Sequence, residues 1–82
     1  MNRYKIFIDI SDIFKDIIKF KIREYSEPFI IIFITAENPD EACYQIVVDI
    51  IKAILAKNNS IETRIFCRLI KKYIRIDKIK AL

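Results

Sequence analysis

FIIIFITAENPDE, residues 29–41, holds two structural signals back to back. Its first half, Phe29 through Thr35, is apolar at odd and even positions alike. Such a run lacks the alternation of a half-exposed strand and is expected to be a central strand, covered on both faces. Its second half is a helix start: Asn38 offers a side-chain acceptor, Pro39 fixes φ at the first helical position, and Asp40 and Glu41 place negative charge at the positive end of the helix dipole.

Working outward from that junction, the downstream pattern predicts a helix over residues 39–57. On a helical wheel its polar arc holds only Gln45, Asp49 and Lys52, while Cys43, Ile46, Val47, Val48, Ile50, Ile51, Ile54 and Leu55 fill the rest. A helix so apolar has to be covered on more than one side, by the sheet and by a neighbour. The neighbour follows at once: Asn58 and Asn59 make the turn, Ser60 caps, and a second helix is expected to reach roughly Ile74.

Upstream, Tyr4, Ile6, Ile8 and Ile10 alternate with Lys5, Phe7 and Asp9, the period of a half-buried strand. Residues 13–25 carry two patterns. Ile13, Phe14, Ile17, Ile18, Ile22 and Tyr25 fit a helical stripe, yet Ile18 to Arg23 alternates apolar with basic. A helix would push Lys21 into its own apolar arc, and Tyr25-Ser26-Glu27-Pro28 suits a hairpin connection. The preferred reading is therefore a strand over residues 17–24, with a turn of helix before it at 11–16. Beyond Ile74 the helical register fails at Ile79, and residues 75–82 are left unassigned. The expected fold class is α+β: an antiparallel sheet of about three N-terminal strands covered by two C-terminal helices, β-β-β-α-α, in one domain spanning residues 1–82.

Composition narrows the chemistry. With no glycine, phosphate-cradling glycine loops are excluded, and with no histidine acid–base work would fall to other groups, none of which stands in a recognisable arrangement. No catalytic residue, metal site or cofactor is expected. Asp9, Asp12 and Asp16 read as turn and surface residues before they read as cation ligands. Asp40 and Glu41 are explained by the helix start. Cys43 and Cys67, without a CxxC spacing, read as inert thiols of a cytoplasmic protein. No run approaches the ~20 apolar residues of a membrane span, and the first ten residues lack an uninterrupted apolar stretch and a small-residue cleavage site. The wealth of isoleucine and lysine implies an AT-rich gene, as in a small accessory protein of a phage or of a low-GC bacterium.

An 82-residue chain buries only about 60–65% of its unfolded surface. A chain that is 54% apolar therefore has more apolar surface than it can hide, and a homodimer is the expected remedy. Charge is segregated as well. The formal balance is +4 overall, and from Thr63 onward seven basic residues face one acid. Arg64, Arg68, Lys71, Lys72 and Arg75 fall within about 100° of arc on the second helix, opposite Phe66, Leu69, Ile70 and Tyr73. This basic stripe is the expected partner-binding face. The first reading is a non-enzymatic interaction or adaptor protein that meets an acidic protein surface; the alternative is a small nucleic-acid-binding protein that uses the same helix on a phosphate backbone. A fainter patch, Lys19, Lys21 and Arg23 with Lys5 and Phe7 beside them, would line a sheet face if residues 17–24 are a strand, but it lacks a pair of aromatics for stacking.

Overall fold

The alternation from Tyr4 to Ile10 does make a strand, and it becomes the centre of the sheet. The computed structural model describes Met1–Leu82 and orders the elements as β1 (Asn2–Asp9), a series of short helical turns, β2 (Phe29–Ala36), α2 (Pro39–Lys57), α3 (Ile61–Ile70) and β3 (Arg75–Ala81). The turns comprise 3-10 segments at Ser11–Ile13, Ile18–Phe20 and Arg23–Tyr25 and a single α-helical turn, α1, at Phe14–Ile17. β1 pairs antiparallel with β2 on one side and with β3 on the other, giving the order β2-β1-β3. The α+β class, the three-stranded antiparallel sheet and the two covering helices stand as the sequence implied.

Two assignments are corrected. Residues 17–24 are not a strand: Ile13 and Ile17, one helical turn apart, are buried together, Ile18 is exposed, and the path turns sharply where Lys21 takes a left-handed backbone conformation (φ 54°). The apolar–basic alternation there is an accident of a path that changes conformation every few residues. The third strand comes instead from the unassigned tail. Its inward residues are Ile76, opposite Ile8, and Ile79, opposite Ile6; a bulge between these pairs inserts Asp77 and makes their spacing three rather than two. The second correction concerns β2, which is an edge strand with one face open. Phe29, Ile31 and Phe33 are 63%, 51% and 50% exposed.

Every helical element lies on the other face of the sheet. Tyr4, Ile6 and Ile8 of β1 meet Ala42, Ile46, Ile50 and Ile54, the i, i+4 ridge of α2, within one continuous buried cluster. Ile13, Ile17, Ile22 and Tyr25 from the turns, with Cys67, Ile70 and Ile74 from α3 and the residues after it, complete that cluster. Phe20 stacks on Phe66 of α3 with ring centroids 6.2 Å apart. Burying one Ile such as Ile46 or Ile50 contributes about 1.5–3 kcal/mol. Both long helices start as their caps dictate: Asn38 Oδ1 accepts from Glu41 N–H at 2.8 Å, and Ser60 Oγ accepts from Thr63 N–H at 3.2 Å. α3 ends at Ile70 and tightens into a 3-10 turn, Lys71–Tyr73. No helix is long and apolar enough to cross a membrane.

Candidate functional site

With all helices on one side, the second face of the sheet is left uncovered, and its content follows from register. The strand period sends Arg3, Lys5, Phe7 and Asp9 away from the helices. Cross-strand pairing then builds rows: Thr35 beside Arg3, Phe33 beside Lys5 beside Lys80, Ile31 beside Phe7 beside Lys78, and Phe29 beside Asp9 beside Arg75. The face is thus divided lengthwise. Its β2 side is aromatic and apolar, its β3 side is cationic, and β1 mixes both.

The cations and rings already touch. Lys5 Nζ lies 5.3 Å from the centre of the Phe7 ring and 5.9 Å from that of Phe33, and the Arg3 guanidinium carbon lies 5.9 Å from the Phe33 centre. A cation over a π-face is held by about 0.5–1 kcal/mol at an exposed site, so these side chains are placed but easily displaced. Arg3, Lys5, Lys78 and Lys80 have no carboxylate partner: the ion pairs of the molecule are Lys19–Asp16, Arg75–Asp9 and Arg75–Asp12.

One end of the face is closed by charge. Arg75 Nη2 bonds Asp12 Oδ2 at 2.7 Å, and its Nε lies 3.9 Å from Asp9 Oδ2. Asp9 Oδ1 also accepts the Ser11 N–H at 2.8 Å. The hydrogen bonds from Ser11, joined by the Arg75 charge, hold the Asp9 carboxyl below its ordinary range. Asp9 and Asp12 therefore serve to anchor β3 and the first turn.

The expected helix stripe is only partly assembled. Arg64, Arg68 and Lys71 line a cleft of about 370 Å³ with Ile51, Leu55 and Cys67, between α2 and α3. Arg64 bonds the Asn59 side chain through Nε at 3.1 Å, and neither it nor Arg68 meets an acid. Lys72 is exposed on the 3-10 turn. Arg75 leaves the stripe altogether, since it opens β3 and is held by Asp12 and Asp9. The apolar side of α3 is also less covered than its pattern implied, with Leu69 and Tyr73 exposed beside Ile61 and Ile65. Lys19 and Arg23 are exposed on 3-10 turns and Lys21 on the link between those turns, and none of the three belongs to a strand. Their expected place beside Lys5 and Phe7 is filled by Lys78 and Lys80.

Burial raises the thiol pKa of both Cys43 and Cys67, with Asp40 adding to the effect at Cys43, so neither is an activated nucleophile. Burial, then Asp49 and Glu24, likewise raises the phenol of Tyr25. No grouping of acidic and thiol side chains suited to a metal ion is present. Sequence reasoning missed Phe29, Phe33, Lys78 and Lys80 as members of one surface. The available signal was the lysine spacing in the tail, Lys78 and Lys80 two apart, which matches Lys5 and Phe7. No family model, no curated protein and no solved structure matches this chain.

Proposed function

We propose that this chain is a non-enzymatic binding protein whose ligand is a single-stranded nucleic acid laid across the open sheet face. The observation that carries the reading is the lengthwise division of that face: Phe29 and Phe33 along β2, Lys78 and Lys80 along β3, and Phe7, Lys5 and Arg3 between them. A single strand carries the complementary pattern, flat bases on one side and anionic phosphates on the other. Strands lie about 4.8 Å apart, so the aromatic and cationic columns run parallel at about 10 Å. Lys5 and Arg3, weakly held over the rings, move to phosphates when the strand arrives and free the rings for stacking. A duplex keeps its bases stacked within itself and offers nothing to Phe33. A second identical face would meet like charge. Such a role suits a cytoplasmic accessory protein with reduced thiols at Cys43 and Cys67.

Fluorescence anisotropy of a labelled mixed-sequence DNA single strand, titrated at rising salt, tests the proposal. Four phosphate contacts predict a slope of log affinity against log salt of about −3. Weaker binding of the matched duplex is expected. No saturable binding at low salt, or equal affinity for the wild type and Phe33→Ala, would overturn it.

A second reading, an acidic protein surface docked on the α2–α3 cleft, is favoured by Arg64, Arg68 and Lys71 converging there without a carboxylate partner. A poly-glutamate peptide that binds the wild type but not Arg68→Glu would support this reading. Binding indifferent to that change would dismiss it.

A further inference from the structure

The two edges of the sheet are built differently. β3, at one edge, carries Arg75, Asp77, Lys78 and Lys80 and a bulge, features that keep an edge from pairing with another chain. β2, at the other, spans eight residues, FIIIFITA, with no charge, no proline and no bulge. Its free backbone groups can be assigned. Ile10 N–H donates to the Pro28 carbonyl at 2.8 Å, which makes Ile10 and Pro28 a hydrogen-bonded pair in the register that continues from Asp9 and Phe29. Hydrogen-bonded pairs recur at every second residue of an antiparallel ladder. Ile30, Ile32, Ile34 and Ala36 therefore turn their backbone groups toward β1, and Phe29, Ile31, Phe33 and Thr35 turn theirs outward.

We infer that two copies of this chain pair antiparallel through the free edge of β2, joining their sheets into one of six strands. A two-fold axis beside Ile32 brings Phe29 opposite the partner's Thr35 and Ile31 opposite the partner's Phe33, so that every outward backbone group of the strand finds a partner. Shifting this register by two residues in either direction leaves Phe29 or Thr35 unmatched. The same register sets Ile30 opposite the partner's Ile34 on the helix side. That side has room for it: Ile30, Ile32 and Ile34 are only partly buried, whereas Ile6 and Ile8 of β1 are fully buried, so the helix layer stops short of this edge. Self-pairing is isologous and closes at two copies. Continuation into a filament would require the charged, bulged β3 edge. The pairing needs no nucleic acid and is independent of the binding reading, although it would set two aromatic columns side by side at the centre of one larger face.

The test is mass by light scattering at micromolar concentration without nucleic acid, so that its outcome is separable from any failure to bind an oligonucleotide. The wild type is expected at twice the chain mass of 9.8 kDa. Ile31→Pro, which removes an outward N–H that the pairing needs while leaving the hydrogen bonds to β1 in place, is expected at the chain mass with an unchanged circular dichroism spectrum. A wild-type monomer, or a dimer indifferent to Ile31→Pro, overturns the inference. Should Ile31→Pro fail to fold, the register decides. At the two-fold axis the facing Ile32 residues form a non-hydrogen-bonded pair with Cα atoms about 4.5 Å apart, within disulfide reach. In a Cys43→Ser, Cys67→Ala background, Ile32→Cys is expected to oxidise to a linked dimer and Ile34→Cys to stay monomeric on a denaturing gel. The reverse result, or linkage at neither position, overturns it.

Discussion

Phe33 stands between Arg3 and Lys5 with half of its surface exposed, a placement that contributes little to the core and much to the open face. Phe33→Ala is therefore expected to leave folding intact. Because one base stack is worth about 1–3 kcal/mol, the change should weaken oligonucleotide binding by roughly 5- to 150-fold. Lys80→Gln should act differently, lowering affinity modestly and reducing the salt slope by about 0.7, the share of one phosphate. Anisotropy titrations on the two variants separate stacking from charge. Asp9 carries a pH dependence whose sign is fixed by its environment. Its folded pKa lies below the ordinary 3.8 because Ser11 hydrogen bonds and the Arg75 charge favour the ionised form. The stabilisation is therefore complete above the unfolded value and is lost as pH falls through the folded one. Acid titration followed by circular dichroism should show the wild type losing stability below about pH 3.8 more steeply than Asp9→Asn. Cys67, buried with a raised pKa, should react with a thiol reagent at neutral pH only as fast as the chain opens.

At the scale of elements, α2 is held by its cap and its buried ridge. Asn38→Ala removes the acceptor for the Glu41 N–H and should lower unfolding stability by about 1 kcal/mol. Ile50→Ala, at a fully buried position, should lower it by about 2–5 kcal/mol. Urea unfolding monitored by circular dichroism measures both. The contrast between these elements and the mistaken ones explains what could be read in advance. Helix starts were legible because Asn38 and Ser60 bond their own neighbouring backbone, so the signal lies within four residues. The existence of β2 was legible from its apolar run, but its place at the edge was not. A residue such as Ile31 looks the same in sequence whether its outer face meets a helix, a ligand or another chain. β3 escaped because the bulge at Asp77 puts Ile76 and Ile79 three apart, which breaks the two-residue period of a strand, while Ile79 falls outside the apolar arc of the preceding helix. Residues 17–24 misled in the opposite direction, because six alternating residues mimic a strand while Lys21 breaks the path. The site inherited both errors. Basic residues beside Lys5 and Phe7 were expected, but Lys19, Lys21 and Arg23 were named where Lys78 and Lys80 stand.

On the scale of the whole molecule, the segregation of charge in the sequence takes on a different meaning once β3 returns to the sheet. The basic C-terminal segment from Thr63 onward divides between α3 with the turn that follows it and the open face of the sheet. The apolar excess likewise divides: one share forms the single buried cluster, and another lies exposed along β2 and along Ile61, Ile65, Leu69 and Tyr73. Only the β2 share is combined with free backbone groups and unpaired cations, which is why the proposed binding and the proposed self-pairing both centre on it. Amide chemical-shift mapping of the isotopically labelled protein, titrated with a DNA single strand, decides which surface the ligand occupies. The largest changes are expected on Arg3, Lys5, Phe7, Phe33, Lys78 and Lys80, with α3 nearly silent. Changes concentrated on Arg64, Arg68, Lys71 and Lys72, with the sheet unmoved, would contradict the sheet-face reading and assign the ligand to the helix.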